Sequence, residues 1–151
     1  MNTKTKTDSE LNVTTPFHEA VETYLESCNI EFSVERFRTR AIYRYFVLSE
    51  VGDHEINMEI FIKPYSDMFA MYAYAPITVE TAHRPELLDI FATKNFDFEQ
   101  HKLELNPDTG AVRCGYASFL FDECVTLSNL ASMQRIASGM IGGVMPLLTK
   151  S

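Results

Sequence analysis

The chain reads as an α+β protein in which helices pack on one antiparallel sheet, in the order helix, three to four antiparallel strands, helix, two-strand hairpin, helix. Three observations predict this. Apolar residues recur at helical spacing near both ends, period-two alternation fills Glu31 to Ala75, and the second half runs proline-started helix, strand, turn, strand, helix. At 151 residues it is most simply one domain, able to bury about two-thirds of its unfolded surface. Residues 1–14 read as a disordered polar tail, and 15–149 as a single domain.

The first helix starts well. Thr15 can cap it, Pro16 suits the first helical position, and Glu19 complements the helix dipole. Phe17, Ala20, Val21, Tyr24, Leu25 and Cys28 form one apolar stripe, and Asn29 is a stop. Phe32, Val34 and Phe37 open the strand region, Ala41 to Glu50 follows, and Gly52-Asp53 marks a turn. From Glu55 to Lys63, Ile56, Met58, Ile60 and Ile62 face one way, and Phe61 joins the polar residues on the other. Pro64 to Asp67 turns the chain into Met68 to Ala75, which should end at Pro76.

Pro85 opens a short helix carrying Leu87, Leu88 and Phe91, with Asn95 as its cap. Phe96 and Phe98 have the opposite parity to Leu103 and Leu105, so one continuous strand needs a β-bulge near Gln100 to Lys102. In the turn Asn106-Pro107-Asp108-Thr109-Gly110, proline presets φ, Asp108 bonds nearby backbone, and glycine accepts positive φ. It is no calcium loop, because Leu120 and Phe121 stand where the last ligand is needed. Ala111 to Phe121 returns. Thr126 or Ser128 then caps a helix whose stripe is Leu130, Met133, Ala137, Met140, Ile141, Val144 and Leu148.

Composition excludes several functions. A net charge of −8 disfavours nucleic acid, which needs clustered cations. Arg36, Arg38, Arg40 and Arg44 are better read as a solvated strand face or partner-facing salt bridges. Three cysteines without C-x-x-C spacing read as buried reduced thiols, and no apolar run is long enough to span a membrane. Without a signal-peptide pattern in Met1 to Asn12, cytoplasmic location is the expectation.

No residue set points to catalysis, a metal or a cofactor. His18, His54, His83 and His101 lack ligand spacing, and no nucleophile elbow or phosphate loop is present. Adjacent Asp122 and Glu123 point apart on an extended chain. Ser138, Gly139, Gly142 and Gly143 place small residues one turn apart; packing on the sheet is the simpler reading, and contact with a second subunit the other. The candidate partner-binding residues are aromatic: Phe61 faces away from the isoleucines, and Tyr43, Tyr45, Tyr72 and Tyr74 are candidates to share its side.

Over roughly Pro16 to Leu148, and most strongly in its second half, the chain resembles the YbjN-domain family. The resemblance is carried by Arg84-Pro85-Glu86-Leu87-Leu88, Asn95-Phe96, Leu103-Glu104-Leu105, Pro107-Asp108-Thr109-Gly110, Ala111-Val112-Arg113, Leu127-Ser128 and Pro146. His101-Lys102 depart from it, standing where the family commonly has glycine followed by asparagine. The resemblance implies a type III secretion chaperone-like fold and a small acidic homodimer that binds other proteins. It attaches no enzymatic activity, and the family is often called a bacterial sensory-transduction regulator. The expected function is therefore a non-enzymatic, chaperone-like or regulatory protein-binding module. The alternative is a carrier of a small apolar ligand between helices and sheet.

Overall fold

The computed structural model describes residues 16–37, 42–51, 54–63, 68–119 and 127–149. The elements are α1 (Pro16–Ser27), β1 (Phe32–Phe37), β2 (Ile42–Val51), β3 (His54–Lys63), β4 (Met68–Thr78), a 3-10 turn (Thr81–His83), α2 (Arg84–Asp97), β5 (Lys102–Leu105), β6 (Ala111–Phe119) and α3 (Leu127–Leu148). The fold is α+β. The four strands of the first block and the two of the hairpin join in one six-stranded antiparallel sheet, ordered β1-β2-β3-β4-β6-β5.

Strict alternation gives the sheet a buried face. Val34, Tyr45, Ile60 and Met71 lie in one cross-strand row, with Tyr43, Val47, Met58, Ile62, Phe69, Cys114 and Tyr116 around it. The long helix α3 crosses this face with Leu130, Ala137, Ile141, Val144 and Leu148 buried, and Ser138 donates its hydroxyl to Met58 Sδ at 3.4 Å. Helix α1 adds Val21, Tyr24 and Leu25, and its Tyr24 hydroxyl bonds Gln134 of α3. Helix α2 contributes Leu87 and Phe91 beside the edge strand β5.

Asn29 ends α1 in the left-handed region at φ 52°. Ile30 N–H bonds Leu25 O and Asn29 N–H bonds Glu26 O, the paired closure that a left-handed residue after a helix allows.

Three expectations need correction. Phe96 is not in a strand: α2 continues to Asp97, Phe96 is 90% exposed on it, and β5 starts only at Lys102. The parity break is therefore a helix-to-strand change, and no bulge is needed there. Asn95 does not cap α2. Its amide pairs with both backbone groups of Leu103, at 2.8 Å each, and so pins the helix end to β5. Pro76 does not end β4 either. The strand passes it to Thr78, and the register against β6 shifts between Tyr74 and Thr78, an irregularity that accommodates a residue without N–H.

The hairpin turn is built differently from the expectation in one detail. Asn106 Oδ1, and not Asp108, accepts from the Asp108 and Thr109 amides, at 2.9 and 3.2 Å. Gly110 sits at φ 78°, and a Cβ there would collide with the Val79 carbonyl oxygen. Arg84 holds the turn from α2, donating to the carbonyls of Val79, Pro107 and Asp108 at 2.9, 2.9 and 3.0 Å.

Candidate functional site

The helices bury one face of the sheet; the other face carries the candidate site. Alternation brings Arg44, Phe46 and Leu48 of β2 to it, with Asn57, Glu59 and Phe61 of β3, Ala70, Tyr72 and Tyr74 of β4, and Arg113 and Gly115 of β6. Phe46, Phe61, Tyr72 and Tyr74 are half-buried, and Leu48 is 50% exposed.

Of the five aromatic residues expected there, the structure brings together Phe61, Tyr72 and Tyr74. Tyr43 and Tyr45 are a correction: both are core residues, 5% and 0% exposed. Their partners explain it, since Tyr43 lies opposite Ile62 and Tyr45 opposite Ile60, on the isoleucine face. The signal was available in Arg44. A charged side chain between the two tyrosines marks the opposite parity as the wet one.

What spacing in the chain did not reveal is a charged belt across the whole face. Glu104 of β5 pairs with the Arg113 guanidinium on β6. Arg113 Nη1 reaches the Tyr74 hydroxyl of β4 at 3.5 Å, and that hydroxyl donates to Glu59 Oε2 of β3 at 3.3 Å. Glu59 Oε1 accepts from Arg44 Nη2 of β2 at 2.6 Å, and Arg44 Nη1 stands 3.7 Å from Glu35 of β1. Every strand supplies one member.

The aromatic rings lie among these charges. The Arg44 guanidinium is 4.5 Å from the Phe46 ring centre and 5.3 Å from that of Phe61; Arg113 is 4.0 Å from that of Tyr72. Phe61 and Tyr72 meet edge to face at 5.8 Å. Tyr72 lies over Gly115 on the neighbouring strand, where a Cβ would come within 3.0 Å of its ring.

Electrostatics follow from this geometry. Burial raises the Tyr74 pKa, and of its charged neighbours Glu59 adds to the rise while Arg113 opposes it. Burial works against the Arg113 charge, but bonds to Tyr74 and Glu104 outweigh it and leave its pKa raised. Tyr74 therefore stays a protonated donor between two charged residues.

Cys114 is buried on the core face, 3.5 Å from Met140 Sδ, and burial pushes its thiol up to about 12. Cys28 is exposed, against the expectation of a buried thiol, and Cys124 lies outside the described residues. Among the described residues, no three His, Cys, Asp or Glu side chains come together as metal ligands, and no helix is long and apolar enough to cross a membrane. Thr15, Arg38, Arg40, the Gly52-Asp53 and Pro64 to Asp67 turns, Asp122, Glu123 and Thr126 also lie outside the described residues, as do the side chains of His18, Arg36 and His54.

The small-residue stripe on α3 does not pack on the sheet as a unit. Ser138 does, but Gly139 and Gly143 are exposed, and among the described residues nothing besides their own stretch of helix lies within 4 Å of the Cβ each lacks.

Comparison with family models, with curated proteins and with solved structures finds no match for this chain.

Proposed function

We propose that this chain is a non-enzymatic protein-binding module, chaperone-like or regulatory, acting as a cytoplasmic homodimer. In this reading it is a member of the YbjN-domain family with the type III secretion chaperone-like arrangement. The observation that carries the binding role is the outer sheet face, where Phe46, Leu48, Phe61, Tyr72 and Tyr74 remain partly exposed around a fixed charged belt. Half-buried rings and arginines give large contact area with few rotamers to freeze, which suits protein contact. Among the described residues, Met58, Phe69, Met71, Phe91 and Ile141 are buried between helices and sheet, which favours protein contact on the outer face over a carried apolar ligand. The open Gly139 and Gly143 on α3, with Ile136 44% exposed beside them, support a contact between two copies.

The test pairs sedimentation velocity with pull-downs from native extract, using the wild-type chain and a Phe61→Ser, Tyr72→Ser variant. A dimer that retains a protein partner, lost in the variant at unchanged melting temperature, is the expected result. A monomer with no partner would sink the reading. A folded variant that binds fully removes the outer face as the site.

A further inference from the structure

The outer face is uneven, and one part of it has a chemistry of its own. Beyond the belt, over β1, β2 and β3, lies an open depression of about 720 Å³. Its outward apolar side chains are Phe46 and Leu48; Tyr74 forms one wall, and Glu31 and Glu59 supply its carboxylates. Among the described residues no lysine or arginine lines it. Glu55 lies two residues before Asn57 of the lining and is exposed on the same side of β3. Leu48, half exposed, is thus a large apolar side chain set among acids.

The same face shows what such a place accepts. Twice it seats a guanidinium over an aromatic ring and against a carboxylate: Arg44 over Phe46 and Phe61 with Glu59, and Arg113 over Tyr72 with Glu104. In the depression Arg44 already takes Glu59 and the Phe46 ring, which leaves Glu31 as the lining carboxylate without a cation among the described residues, with Glu55 exposed nearby. Burying Leu48 and Phe46 would drive association, while Glu31, Glu55 and a chain charge of −8 would repel acidic partners.

We propose that this depression seats a segment of a partner protein in which a large apolar side chain is flanked by arginine. The proposal rests on the protein-binding reading above and assigns it a partner chemistry. The apolar side chain lies against Leu48 and Phe46, and the flanking guanidinium meets Glu31.

The experiment is fluorescence anisotropy on the full chain with two short labelled peptides. They share one Leu-Phe-Leu centre, flanked in one by arginine and in the other by glutamate. The arginine-flanked peptide should bind at least about tenfold more tightly. Leu48→Ser and Glu31→Gln, both at exposed positions, should each weaken it severalfold, while Glu86→Gln on the exposed start of α2 should not. Equal affinity for the two peptides overturns the proposal. So does an arginine preference untouched by Leu48→Ser and Glu31→Gln, which would reflect overall acidity alone. Self-association that excludes the peptide and is lost in Leu48→Ser overturns it in favour of a second copy. If both peptides bind alike and binding is lost only in Phe61→Ser, Tyr72→Ser, this seat fails and the protein-binding reading stands.

Discussion

His101 is a buried residue without a complete set of partners. It is 6% exposed, it lies 5.0 Å from the Tyr116 ring centre, and it bonds the Met133 backbone. Its Nε2 is buried with no hydrogen-bond partner among the described residues. Burial lowers its pKa from the ordinary 6.5, a loss that the Met133 bond only partly offsets. The sign follows from proton uptake: below pH 6.5 the unfolded chain binds a proton here that the folded chain resists. The stability held by neutral His101 is thus complete above that pH and declines as pH falls toward the lowered folded value. Urea midpoints should drop between pH 7.5 and 5.5, and His101→Phe, which keeps the stacking, should flatten that drop. Parallel curves for the two proteins would show that this imidazole does not titrate against the fold. In sequence, His101 reads as one of four scattered histidines, because its burial comes from α3 folding back over β6, a contact between distant parts of the chain.

At the level of elements, the hairpin between β5 and β6 is held by its turn and by α2 together. Gly110→Ala adds a Cβ to a left-handed residue and drives it into the Val79 carbonyl, so a loss of at least about 2 kcal/mol is expected by urea unfolding. A change under about 0.5 kcal/mol would mean that the turn relaxes at little cost. The positive φ at this glycine was legible from the Pro-Asp-Thr-Gly pattern, and most strands were legible from alternation. The α2–β5 junction was not. Phe96 and Phe98 look like strand residues by type, yet helical hydrogen bonding continues to Asp97, and Asn95 spends its amide on Leu103. Tertiary contact overrode local preference there. Of the candidate site, Phe61, Tyr72 and Tyr74 were readable from parity. The belt was not, because Glu59–Tyr74 and Arg44–Glu59 join residues diagonal to each other, a relation fixed only by register.

Across the whole molecule, the belt links six strands through five contacts. Arg44→Met paired with Glu59→Gln should show a coupling of about 1 kcal/mol in a double-mutant cycle, since Glu59 is only 16% exposed. Arg44→Met and Arg113→Met do not touch, yet Glu59 and Tyr74 connect them, so their effects should depart from additivity by more than about 0.5 kcal/mol. Additive losses would divide the belt into two independent pairs. The belt also bears on how the chain finds its fold. Sliding any strand by one residue would turn its Glu, Arg or Tyr into the core and bring an apolar neighbour out, breaking the chain of contacts as it did so. A sheet mispaired by one residue in β1, β2, β3, β5 or β6 would therefore carry buried charge from the moment it closed. In that sense the surface residues of this sheet proofread its assembly.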